Sequence, residues 1–185
     1  GMARFYLRTV HPNLEVYVSP INIDPINPAQ AISAPAGFAK GIAESSGRYY
    51  TTGIPEDTKA LRADALNEDE FLDMVKLLGI ERTKQYHDAL AAFDEGLLFF
   101  YFGHTDQLSH VFWRDIDPEH PGRIPEQDGK YNHVIEDVYR EMDERVGEAL
   151  ARLDADDLLV ILSDHGFSSF RRGFNVNAWL RDQGY

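Results

Sequence analysis

The 185-residue chain reads as an α/β protein: a parallel-rich sheet flanked by helices, behind an N-terminal segment rich in strand and loop. Three observations predict this. Residues 96–102 and 158–162 are short, continuous apolar runs, the pattern of strands covered on both faces. A long stretch with apolar residues at helical spacing precedes each run, so helix, strand, loop, helix and strand follow in the order of a parallel sheet. Each run is followed closely by a carboxylate and an imidazole: Asp106 and His110 after the first, Asp164 and His165 after the second. In open α/β folds that sheet edge is where ligands bind.

The elements are justified in turn. Residues 4–10 and 14–18 are rich in aromatic and β-branched residues, and His11-Pro12-Asn13 between them is turn chemistry, so they read as a hairpin or two neighbouring strands. Pro20, Pro25, Pro28 and Pro35 keep residues 19–35 from sustaining a helix or central strand. A helix is expected from Gly37 to about Ser46, stopped by Gly47. Residues 49–67 are short and irregular. Asn67, followed by Glu68, Asp69 and Glu70, is a helix start with carboxylates near the positive end of the dipole. Phe71, Met74, Val75, Leu78, Tyr86, Leu90 and Phe93 carry its apolar stripe, with Gly79 a point of loosening. After the first apolar run and a Pro- and charge-rich loop at 114–129, a second long helix is expected from about Tyr131 to Leu153. Asn177 is expected to cap a last short helix that Gly184 stops.

Composition bounds the function. A formal net charge of −13 argues against nucleic-acid binding, which needs a dense Lys/Arg footprint. No apolar run approaches the ~20 residues of a membrane-spanning helix, and no signal segment is evident at the start. With no cysteine there is no disulfide framework and no thiolate metal site. The expected location is the cytoplasm.

Asp with His is a mixed oxygen and nitrogen donor set that a borderline divalent ion accepts. Asp106 and His110 are four apart and share a face if a helical turn opens after the first strand. Asp164 and His165 are adjacent and can converge only at a strand-to-loop corner. Either pair alone also fits a loop cap and a hydrogen-bonded core histidine. Both pairs at equivalent strand ends would place all four groups in one crevice, and paired ions can hold the entering and leaving oxygens of a displacement at phosphorus. His104 is a candidate extra contact beside the first pair, and Arg171 and Arg172 are candidate phosphate clamps. Ion-pairing or surface roles remain open for all three. Phe112 and Trp113 read first as core, and His87, His120 and His133 as structural or exposed.

The aromatic run with Asp106-x-x-x-His110, then the second run with Ser163-Asp164-His165-Gly166-Phe167, resembles the type I phosphodiesterase/nucleotide pyrophosphatase family of the alkaline phosphatase superfamily. Residues 170–180 are similar to a bacterial branch of that family. The resemblance implies an alkaline phosphatase-like core and two divalent ions, zinc first and manganese second. One ion would be held by Asp106 and His110, the other by Asp164 and His165. It also implies a metal-activated Thr or Ser nucleophile and a phosphorylated enzyme intermediate. The family's first Asp ligand and its nucleophile precede the region that aligns here, and its last His ligand follows it. The chain is therefore expected to be an internal fragment of a longer metallohydrolase, inactive alone, with its nucleophile outside these residues. Within it, 1–67 is expected to form a cap-like β/loop segment and 68–185 the α/β metal-site core. The expected partners are a small phosphate ester or nucleotide and the rest of the parent chain. The competing class is a noncatalytic binding or scaffold domain on the same fold.

Overall fold

A computed structural model describes all residues, 1–185. In chain order the elements are strands β1 (Phe5–Thr9) and β2 (Glu15–Val18), then helices α1 (Phe38–Ser46), α2 (Thr58–Arg62), α3 (Glu68–Ala92) and α4 (His104–Ile116). A 3₁₀ turn at Pro125–Gln127 and helices α5 (Val134–Leu150) and α6 (Val176–Asp182) follow. The fold is mixed but mostly helical, and its one sheet is the antiparallel pair β1–β2, with Phe5 opposite Val18, Tyr6 opposite Tyr17 and Leu7 opposite Val16. The chain divides into two compact units, Gly1–Gln107 and Leu108–Tyr185.

In the first unit α3 is the organising element. Asn67 accepts from the Glu70 N–H at 2.9 Å while the Glu70 carboxylate accepts from the Asn67 N–H at 2.8 Å, a reciprocal capping box. Phe71, Met74, Val75, Leu78 and Tyr86 form its buried stripe, joined by Leu66, by Ala39 and Ala43 of α1 and by Ala60 of α2. Gly79 is buried and the helix continues through it. Gly47 ends α1 at φ 90°, a conformation only glycine adopts without strain. The hairpin meets α3 through polar groups: Arg8 Nε donates to both Glu70 oxygens at 2.8 and 3.0 Å, Tyr6 donates to Asp73 at 3.2 Å, and Arg4 pairs with Glu81. The opposite face of the hairpin, with Phe5, Leu7, Val16 and Val18, is exposed.

In the second unit Phe112 is fully buried, its ring 5.2 Å from that of Tyr131, and Leu108, Val134, Ile135 and Val138 close the core around them. Helix α5 is shorter than its apolar stripe suggested, starting at Val134 and ending at Leu150. Helix α6 is capped by Asn175, not Asn177: the Asn175 side chain accepts from the Ala178 N–H at 2.9 Å. Asn175 holds an extended backbone that aims its oxygen at the third helical N–H, whereas Asn177 already lies inside the first turn.

The two expected buried strands differ from the sequence reading. Neither 96–102 nor 158–162 enters a ladder. In the first, Phe100 and Phe102 turn toward the Tyr86 ring, at 5.3 and 5.4 Å, while Leu97, Phe99 and Tyr101 on the alternate positions are exposed. The run thus has strand parity but is covered on one face only. In the second, Leu158, Val160, Ile161 and Leu162 are all exposed. The reason is pairing: a parallel strand needs a neighbour brought by a long crossover, whereas β1 finds its partner one turn away in the chain.

Asn67→Ala removes the capping box and is expected to cost about 1 kcal/mol of unfolding free energy. Phe71→Ala, which empties a fully buried site, is expected to cost about 3–5 kcal/mol. Urea unfolding followed by circular dichroism measures both; a Phe71→Ala protein as stable as its parent would contradict this placement of the core.

Candidate functional site

The first Asp/His pair is carried by α4, which opens directly after Gly103. The helical turn posited after the apolar run is realised and extends to 13 residues. Asp106 sits in its first turn, half-buried, with one carboxylate oxygen accepting from the Gln107 side-chain amide at 2.8 Å. His110 follows one turn later and is exposed.

His104 is buried at 4 % exposure, stacked edge-on to Phe102 at 6.0 Å. It lines a small cavity in the first unit together with Tyr49, Glu56, Arg82 and Gln107. A solvent-facing strand-end histidine was the simpler expectation, and burial replaces it because the helix begins at His104 itself. Glu56 on that cavity was not singled out from the sequence, where it lies in an irregular Pro-Glu-Asp stretch with no periodicity to mark it as buried. Its carboxyl is pushed above the usual range by burial, and the Asp106 carboxylate nearby adds to this against the pull of its own backbone N–H and of Arg82.

The second pair lies in the second unit, in a segment from residue 163 to 175 that has neither helix nor ladder. The His165 ring centroid stands 6.5 Å from that of His110, and the Phe167 ring contacts both edge-on, at 5.4 and 4.9 Å. Trp113, one turn along α4 from His110, stacks on the same Phe167 at 5.6 Å. The His165 Nδ1 atom lies 3.0 Å from the Gly166 carbonyl oxygen, and Nε2 lies 3.7 Å from Asp164. An Nδ1–H committed to a carbonyl leaves Nε2 as the lone-pair nitrogen, the tautomer a metal-binding imidazole requires. Asp164 itself is exposed, and the Ser163 hydroxyl donates to the His165 carbonyl at 2.6 Å.

Of the residues nominated from sequence, His110, Asp164 and His165 are therefore neighbours within one unit. No group of three or more His, Asp or Glu side chains converges on a common point among the described residues. The residue types in the second unit, two imidazoles and a carboxylate, are ones a borderline divalent ion accepts, and one imidazole is already oriented by a carbonyl. Arg171 is engaged within the unit: it donates to Asp117 at 3.0 Å and to the Glu119 carbonyl at 2.8 Å. Arg172 is exposed. Phe167 and Asp117 are the contributors that sequence reasoning passed over. Phe167 sat at the end of the quoted motif, and only its place in that motif signalled it. Asp117 lay in a charged loop 52 residues from Ser169, which donates to it, and nothing local marks it.

The class of the protein comes from comparison with known proteins. Residues 38–185 match the family model described as type I phosphodiesterase / nucleotide pyrophosphatase. The chain belongs to this family, whose members hydrolyse phosphodiester and pyrophosphate bonds and are typically metal-dependent. No curated protein and no solved structure matches the chain.

The raised Glu56 pKa fixes a sign. The native state keeps a proton that the unfolded chain releases, so stability falls as pH rises through the ordinary carboxylate range and levels off once native Glu56 ionises. Glu56→Gln mimics the protonated form. It is expected to raise the melting temperature at pH 7 and to change it little at about pH 3, below the ordinary glutamate range, where both states are protonated. Thermal melts at the two pH values check this; equal shifts at both would show that the group is not titrating.

Proposed function

We propose that the chain supplies part of the active site of a metal-dependent phosphoryl hydrolase of the phosphodiesterase/nucleotide pyrophosphatase type. In this reading Asp106 and His110 serve one divalent ion, and Asp164 and His165 a second, with zinc preferred and manganese the alternative. The observation that carries the reading is the approach of the His110 and His165 rings, from two segments more than 50 residues apart, in a chain of this family. Bound divalent ions supply the charge that offsets the phosphoryl oxygens and the acidity that turns a hydroxyl into a nucleophile.

The chain's own residues do the rest. The Gly166 carbonyl holds His165 in one orientation, Phe167 shields one side of both imidazoles from water, and exposed Asp164 keeps its carboxylate available. The nucleophile, a Thr or Ser, is supplied from outside these residues, so residues 1–185 alone do not turn over. The substrate is a small phosphate ester, a phosphoric anhydride or a nucleotide.

The parallel-rich, alkaline phosphatase-like sheet belongs to the same reading. Residues 96–102 and 158–162 become its strands when segments of the longer chain pair with them. Support comes from the bare apolar positions Leu97, Phe99, Leu158 and Ile161, which a sheet would cover. A noncatalytic binding domain on the same fold is favoured by one observation, the lack of three converging donors.

One experiment separates the two. The full-length protein, purified metal-free and reconstituted with zinc or manganese, is expected to cleave an aryl phosphodiester or a nucleotide. Asp164→Ala and His110→Ala are each expected to lower kcat/KM by more than the ~10–100-fold that loss of an outer-shell partner costs, and to lower the bound metal measured by elemental analysis. Full metal content with no cleavage of any phosphodiester, phosphomonoester or nucleotide would favour the binding domain.

A further inference from the structure

The segment that carries Asp164 and His165 has no regular secondary structure, so its backbone does not place His165. Its local bonds, Ser163 to the His165 carbonyl and His165 to the Gly166 carbonyl, shape the turn without tying it to anything else. What ties it are contacts on alternate residues. His165, Phe167, Ser169 and Arg171 meet α4 and the residues that follow it, whereas Ser168, Phe170 and Arg172 are exposed. That is the parity of an extended chain. On the other side the contacts fall on His110, Trp113 and Asp117, the i, i+3 and i+7 positions of one helix stripe.

Asp117 closes this row. Its backbone N–H continues the helix to the Trp113 carbonyl at 3.2 Å, and its Oδ1 accepts from the Glu119 N–H at 2.9 Å, so the carboxylate is held by its own turn. Its Oδ2 accepts both the Ser169 hydroxyl and Arg171 Nη2. Arg171 is doubly held, its Nη1 reaching the Glu119 carbonyl. The carboxylate is kept ionised by the Ser169 hydroxyl first, then by the Glu119 N–H and by Arg171, which drop its pKa below the ordinary range.

We infer that Asp117 is a positioning residue: through Ser169 and Arg171 it pins the 163–171 segment to the end of α4 and so sets His165 beside His110. The inference rests on the proposed function, since it makes that neighbourhood the purpose of the anchor. It assigns Arg171 to the anchor and leaves Arg172, on the outward parity, as the guanidinium open to a substrate phosphate.

The test uses the full-length protein and zinc alone. Calorimetric titration of the metal-free protein is expected to show at least ~10-fold weaker binding in Asp117→Ala, the size of an outer-shell loss. A smaller loss is expected in Asp117→Asn, which keeps the shape, and none in Arg172→Ala. Far-ultraviolet circular dichroism should be unchanged throughout. Should Asp117→Ala fold poorly, Arg171→Met tests the same anchor from the other side. In metal-free protein with labelled His and Phe rings, cross-peaks between Phe167 and His110 should be present and should vanish in Asp117→Ala. Wild-type zinc affinity with those cross-peaks intact in the variants would overturn the anchor and leave the hydrolase reading standing. Wild-type protein that binds neither zinc nor manganese would overturn the anchor together with the reading beneath it, and that result is seen before any variant is made.

Discussion

The Phe167 ring is what joins a helix and an irregular segment into one candidate site. It meets His110 and His165 edge-on and Trp113 in a near-parallel stack, so two side chains of α4 and one of the segment share one apolar surface. Such contacts are worth about 0.5–1.5 kcal/mol each beyond the area they bury. Ordering a residue without secondary structure costs about 1–2 kcal/mol of backbone entropy alone. No single ring contact can hold a segment of that length, which is why the polar anchor at Asp117 and the aromatic row along α4 belong together. The segment's outward residue Phe170 is exposed.

The hairpin shows a different kind of attachment. It sets Tyr6 and Arg8 against α3 and reaches α2 through Tyr17, whose hydroxyl donates to Asp57 at 2.8 Å. Asp57 in turn caps α2 by accepting from the Ala60 N–H, so one carboxylate serves the cap and the hairpin together. These contacts are polar, and the one ion pair among them, Arg8 with Glu70, is part-buried. The hairpin is therefore placed by donor and acceptor geometry more than by burial. Its apolar face, like the outer positions of the first apolar run, stays open.

Legibility in the sequence followed the range of the interaction. The Asn67 cap, the α3 stripe from Phe71 to Tyr86, the hairpin and the stop at Gly47 were readable because each is decided within a few residues. The α6 cap was misplaced by two residues because Asn175 and Asn177 are equally good caps in isolation, and only the backbone entering the helix chooses between them. The apolar runs read as buried strands, yet neither joins a ladder, and only the first keeps an alternation, turning Phe100 and Phe102 to one side. A continuous apolar run does not say which distant segment would pair with it.

The candidate site divides in the same way. Residue types and spacing offered four candidate side chains directly after two apolar runs, and the motifs around them carried the family likeness. Tertiary structure alone decided that His104 is buried beside Glu56, that Arg171 is spent on Asp117, and that Phe167 brings His110 and His165 together. The physical reason is contact across long sequence separation: a 3.6- or 2-residue period announces which face of an element is apolar, but carries no information about which distant face will meet it.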